Sequence, residues 1–287
     1  LVVIATALAA IVAGSLTTMV VRHLTSSSAD SRALALPHQE AVERGLAAGW
    51  IAQQVNPTDL VSCDPVMCAA LRADGFPSSK LQVLGMTSEA PTNSAVVVVT
   101  AAVRGMFGSS LGSAWAPAIL ASFGSGTAEI TVRQIAPNGA LAYSKALDAD
   151  LALRKASEAG LLTSPRITLS GPAKEQLAAG EVDSRLVLSL ADLAAYKPID
   201  IIGFGNPGPG ATADTPLRFA DLAVPNQAVD MASPAYLQAM HVHLNQQDSR
   251  YRPAGSGKVA LPGGKTAFRV EFTAPSPLGL FSGQRFP

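Results

Sequence analysis

Residues Leu1 to Leu24 read LVVIATALAAIVAGSLTTMVVRHL, and no charge interrupts them before Arg22. At 1.5 Å of rise per residue, about 20 apolar residues cross a hydrocarbon core of about 30 Å. No later stretch combines that length with that apolarity, so the sequence predicts one transmembrane anchor carrying everything downstream. Two alternatives compete with it. A secretory signal has an apolar region of about 7–15 residues ending in a small-residue cleavage site. Here the run is longer, and no Ala-x-Ala pattern follows it before Arg22. A buried core helix rarely needs so long an uncharged run. Orientation is read from the charges on both flanks. Arg22 and Arg32, on the flank in hand, pull against an external soluble part. The size of that part and its cysteine pair argue for the outside.

Thr25 to Pro37 (TSSSADSRALALP) is Ser- and Ala-rich, lacks periodicity and reads as a stalk. The whole chain is 15% charged with a net charge of +0 and only 5% aromatic. Those figures exclude a disordered protein, a basic nucleic-acid face and a base-stacking platform. The expected fold class is α/β and α+β. A Rossmann-like α/β domain covers residues 38–160 with a closing helix, and a ferredoxin-like βαββαβ domain covers 161–275. A flexible tail covers 276–287.

In the first domain a helix is expected from His38 to Val55, with Val42, Leu46, Gly49, Trp50 and Gln53 on one face. Strands follow at Leu60–Cys63, Leu81–Leu84, Ala95–Val103, Ile119–Phe123 and Ala128–Ile135. The four consecutive valines inside AVVVVTAAV suggest a strand buried on both faces. Asp64-Pro65 reads as a helix start, with Asp as the cap and Pro at the first position. The helix Leu141–Gly160 is expected to bury Leu141, Leu147, Leu151 and Ala152. In the second domain, Asp183 caps a helix through Tyr196 that buries Leu186, Leu190 and Leu193. A terminal hairpin is expected around Pro262-Gly263-Gly264. No internal repeat is evident.

Cys63 and Cys68, in SCDPVMC, are spaced so that a strand end and a first helical turn can bring them within disulfide range. Free thiols, redox exchange and metal binding are the alternatives. The exchanger spacing and a second ligand pair are both missing. Parallel strands ending at Cys63, Leu84 and Val99 would bring their carboxyl ends to one edge, where α/β sheets bind ligands. Asp64, Gly85, Thr100 and Arg104 would line that rim, with Ser125 close by. The competing reading has Asp64 as a plain cap and the rim filled by the chain's own loops, above all Gly105–Pro117. His241 and His243 (H-x-H) lie on an expected helix, where i and i+2 do not face each other. The stretch GFGNPGPG follows a strand but precedes no helix, so it fails as a dinucleotide fingerprint. No catalytic spacing, metal site or cofactor motif emerges; the expected cofactor set is none.

The block AAGWIAQQVNPTDLVSCDPVMCAALRADGFP resembles a segment in the extracytoplasmic part of some polytopic glycosyltransferases. It carries none of their catalytic residues. Taken from the anchor through VDSRLVLSLADLA to TAPSPLGL, the chain is similar to single-pass envelope proteins of high-GC actinobacteria. That resemblance implies location and no activity. The expected function is a membrane-anchored extracytoplasmic protein that binds or scaffolds in the cell envelope. Its partners would be the membrane through Leu1–Leu24 and an envelope protein or glycan, not nucleic acid. The alternatives are an envelope enzyme acting on glycan or peptidoglycan with Asp64 in its site, or an accessory subunit. For the subunit, Ala9/Ala13 and Ala10/Gly14 would give the anchor small packing faces.

Overall fold

The computed structural model describes residues 38–212, 215–223 and 233–281. The expected anchor, the stalk and the last six residues lie outside that set. Among the described residues no helix is long and apolar enough to cross a membrane. The architecture is α/β, built on two mixed five-stranded sheets.

In the first unit α1 (38–54) leads into β1 (Val61–Cys63), α2 (Pro65–Ala73), β2 (Leu81–Val83) and β3 (Val96–Val99). The unit continues through α3 (Ala101–Phe107), β4 (Ala118–Phe123) and β5 (Ile130–Gln134). Its sheet runs β2-β1-β3-β5-β4; the first three strands are parallel, and β5 is antiparallel to both its neighbours. Side chains alternate across a strand, so the four valines of β3 divide between two cores. Val96 and Val98 pack with Ile51, Met67 and Leu71, while Val97 and Val99 pack with Val103, Leu111 and Trp115. That double burial accounts for the unbroken apolar run.

Two expectations for this unit need correcting. β3 stops at Val99 instead of Val103, because Thr100 turns the chain and caps α3. On α1 the buried face is Ala47, Trp50, Ile51 and Gln54, whereas Val42 and Leu46 are each about half exposed (48% and 47%). The packing stripe is therefore rotated by about one residue from the expected one.

The second unit contains α4 (Ala140–Thr163), β6 (Ile167–Leu169), α5 (Gly171–Ala178), α6 (Ser184–Tyr196) and β7 (Ile199–Gly205). Then come β8 (Phe219–Ala223), α7 (Pro234–Gln246), β9 (Gly255–Ala260) and β10 (Thr266–Glu271). The sheet order is β6-β7-β8-β10-β9. In a split βαβ unit another strand separates the two parallel ones. Here β6 and β7 pair directly, Ile167 opposite Ile199, so the ferredoxin-like arrangement does not hold. The expected β9–β10 hairpin is present, as is the Leu186–Leu190–Leu193 stripe of α6, all fully buried.

Helix α4 buries a polar stripe. Asp150, Arg154 and Glu158 face inward at i, i+4 and i+8, and the expected contributor Leu141 is 73% exposed. Arg154 pairs with Asp150 (2.9 Å) and donates to the Gly180 carbonyl (2.5 Å), which ties α4 to the α5–α6 turn. Asp150 also accepts from the Gly279 amide (2.8 Å), and Phe281 is buried. The expected flexible tail is thus docked at least as far as Phe281.

The two sheets share part of their topology. Strand, helix and hairpin recur as β3–α3–β4–β5 and β8–α7–β9–β10, with the last strand inserted between the other two in each case. A seam joins the units. The 210–212 segment extends the β4 edge, Ser122 donating to the Gly210 carbonyl (2.8 Å) and Thr212 Oγ1 to that of Ile119 (2.6 Å). Gly210 has φ +87°, and a Cβ there would sit 2.6 Å from the Phe123 ring, so only glycine fits. That is the structural use of the glycine-rich stretch. Trp50 donates through Nε1 to the Pro207 carbonyl (3.3 Å), and Arg218 lies 5.8 Å over its ring. Burial lowers the Arg218 pKa to about 10, opposed by the charge of Asp183.

Candidate functional site

The parallel strands bring their carboxyl ends to one edge, and the carboxylate there is already engaged. Asp64 is buried at the end of β1. Its Oδ1 accepts from the amides of Val66 (2.9 Å) and Met67 (3.0 Å), which caps α2. Its Oδ2 accepts from Thr100 Oγ1 at 2.6 Å, fastening the start of α3 to the start of α2. Arg104 donates to the carbonyls of Thr127 (3.0 Å) and Val99 (3.4 Å). Ser125 is exposed just before the turn Gly126–Ala128, and its side chain caps nothing. Asp64 and Thr100 therefore come together as a closed pair, while Arg104 turns to backbone carbonyls and Ser125 stands apart.

The disulfide between Cys63 and Cys68 lies beneath this rim, with the Cα atoms 5.4 Å apart and both residues buried. It ties the end of β1 to the first turn of α2. The H-x-H pair diverges: His241 Nδ1 meets Ser256 Oγ (2.8 Å), while His243 Nε2 meets Asp192 Oδ2 (3.0 Å) and stacks on Tyr196. Among the described residues no group of three His, Cys, Asp or Glu could hold a metal ion.

The feature that sequence reasoning missed is a cavity of about 640 Å³ between α4 and α6. Leu153, Leu161, Ile167, Val187, Leu188 and Phe281 supply its apolar walls. It stays open because the facing residues are small: Ala156 and Gly160 on α4, Ala191 and Ala195 on α6. A Cβ built on Gly160 meets nothing within 4 Å. Small residues four apart share a helix face, and this spacing on both α4 and α6 was the available signal. Arg166 lines the same cavity and is exposed. Its Nε donates to the Ala194 carbonyl (2.5 Å), and no described residue accepts from its terminal nitrogens. The arrangement can hold an apolar chain and meet an anion at one end. Of the two hydroxyls that line it, Ser157 donates to the Leu153 carbonyl (2.8 Å) and Ser164 accepts from the Arg166 amide (3.3 Å).

No family model matches the chain, and neither does any curated protein or solved structure.

Proposed function

We propose that the chain is a membrane-anchored, extracytoplasmic binding protein of the cell envelope, whose α4–α6 groove takes the alkyl chain of an anionic amphiphile. The groove carries this reading. Its volume lies within the 300–1,000 Å³ common for ligand sites, its walls are apolar, and a single guanidinium sits at its margin. Arg166 suits a carboxylate or a phosphate head group. Location is supported by the Leu1–Leu24 run and by the Cys63–Cys68 disulfide, a bond that persists in oxidising compartments. On this reading the first unit, Rossmann-like in its parallel β2-β1-β3 core, is a scaffold that holds the second through the seam at Trp50 and Gly210. Asp64 is not a catalytic carboxylate here, because capping and Thr100 occupy both its oxygens.

Native mass spectrometry of the delipidated full chain tests the reading. Palmitate and a lysophosphatidic acid serve as probes, distinguishing carboxylate from phosphate. A one-to-one complex with either, weakened by Arg166→Glu, is expected; no complex with both would reject it. Placing the C-terminus inside the cytoplasm with a reporter fusion would reject the envelope location.

A further inference from the structure

The second unit holds a polar cluster that the binding reading does not use. Ser256 lies on β9, the edge strand of its sheet, between Gly255 and Gly257. Ser256 itself is partly exposed. Helix α7 crosses the same sheet face and brings His241 Nδ1 to 2.8 Å from Ser256 Oγ. One turn on, Asn245 Nδ2 lies 3.0 Å from His241 Nε2. The i, i+4 spacing on one helix sets that contact. Ser256 and His241 open into a cavity of about 470 Å³ whose walls include Leu237, Phe268 and Lys258. Ser256 and Lys258 are two apart on β9 and so share a face.

We propose that Ser256, His241 and Asn245 form a site for hydrolysing small acyl esters, with Ser256 as nucleophile, His241 as base and Asn245 as the positioning residue. The required order of contacts is nucleophile to base and base to orienter, and both are at hydrogen-bond distance. The chemistry assigns the amide of Asn245 with Oδ1 toward the ring, an orientation the same 3.0 Å separation serves equally. Nε2–H then donates to Asn245, and the Nδ1 lone pair accepts from the Ser256 hydroxyl.

Ser256 Oγ attacks the ester carbonyl carbon, and its proton passes to His241 Nδ1. The Lys258 ammonium is the cation in the cavity that offsets the negative charge developing on the carbonyl oxygen. The carbon–alkoxy bond breaks, and the imidazolium returns its proton to the leaving alcohol. Water, deprotonated by the same nitrogen, then cleaves the acyl-serine to the carboxylic acid and restores the hydroxyl. Leu237 and Phe268 supply an apolar wall for the acyl group.

This inference is independent of the groove, because the two cavities share no residue. A biotinylated alkyl fluorophosphonate is the probe, used on the full oxidised chain with a serine hydrolase as internal standard. Peptide mass mapping should find phosphonylation at Ser256, with fluoride as the leaving group. His241→Gln should slow labelling by at least about 100-fold, the range expected for loss of a general base. Asn245→Leu should slow it by about 10-fold, and Asn245→Asp, which keeps an acceptor oxygen, should restore the rate. Thermal unfolding of each variant separates lost chemistry from lost fold, and wild-type mapping needs no variant. An unmodified Ser256 beside a labelled standard would overturn the proposal. So would His241→Gln labelling at the wild-type rate. Equal rates for Asn245→Asp and Asn245→Leu would remove Asn245 from the site.

Discussion

The modules β3–α3–β4–β5 and β8–α7–β9–β10 share one topology and use their polar residues in opposite ways. In the first, α3 is a helix of 7 residues whose cap Thr100 and last-turn Arg104 are bonded to Asp64 and to backbone carbonyls. In the second, α7 runs for 13 residues, about 20 Å, long enough to carry His241 across the sheet to the edge strand. In the first module Thr100 and Arg104 are spent on Asp64 and on carbonyls; the second turns a histidine and a serine toward a cavity. A polar cluster at the expected edge of a sheet is therefore no guide to function until its hydrogen bonds are followed. Satisfied groups hold the frame, and groups left facing a cavity are available for chemistry.

The comparison can be broken by substitution, and the largest effect is expected at a closed group in the second unit. Asp183 is fully buried, caps α6 and pairs with Arg185 at 2.7 Å. Burial alone would raise its pKa, but the charge and hydrogen bonds of Arg185 hold it below the usual carboxylate value. Asp183→Ala should cost about 3–5 kcal/mol in urea unfolding, because it leaves a largely buried guanidinium uncompensated. The wild-type pair itself should lose its contribution as pH falls through the depressed pKa of Asp183.

Asp64→Ala should cost about 3 kcal/mol, combining the lost cap with a stranded Thr100 hydroxyl. It should leave fluorophosphonate labelling of Ser256 unchanged. A loss of labelling without a loss of stability would reverse the roles assigned to the two modules.

Glu158 gives a smaller effect with a pH signature. Its carboxyl is buried without a hydrogen-bond partner among the described residues, and burial raises its pKa from 4.5 to about 8. Between those values the folded state holds a proton that the unfolded state has released. Stability from this group therefore falls as pH rises from about 4.5 to about 8, then levels off. Glu158→Gln should match wild type near pH 4 and become progressively the more stable of the two as pH rises to 8. An unchanged difference across that window would contradict the burial assigned to this carboxyl.

The smallest stability effect is expected at the open cluster. His241→Gln should change unfolding by no more than about 0.5 kcal/mol while abolishing most labelling. A cost of several kcal/mol would instead make the His241–Ser256 contact part of the frame.

What could be read from the chain alone was local. Asp64-Pro65 and Asp183 declare their caps because the bonds reach only two or three residues forward. The valines of β3 declare double burial by composition. The parallel order of β1, β2 and β3 follows from the long connections between them. The seam was not legible, since Trp50 meets Pro207 from 157 positions away. Nor was the inward face of α4, where three charged residues occupy positions that a hydropathy pattern assigns to solvent. His241 and Ser256 are 15 residues apart on different elements, and nothing in either segment announces the other. The strand-end residues were legible as a group but not as a closed one, because closure depends on Thr127 and on side-chain directions.

The most direct test of the binding function is an equilibrium titration of the delipidated full chain with cis-parinaric acid, a fluorescent fatty acid. Saturation at one probe per chain is expected, displaced by palmitate and lost in Ala191→Phe, which fills the groove from α6 while Cys63–Cys68 and the melting temperature stay as in wild type. Binding that never saturates, or that survives Ala191→Phe at wild-type affinity, would contradict the account.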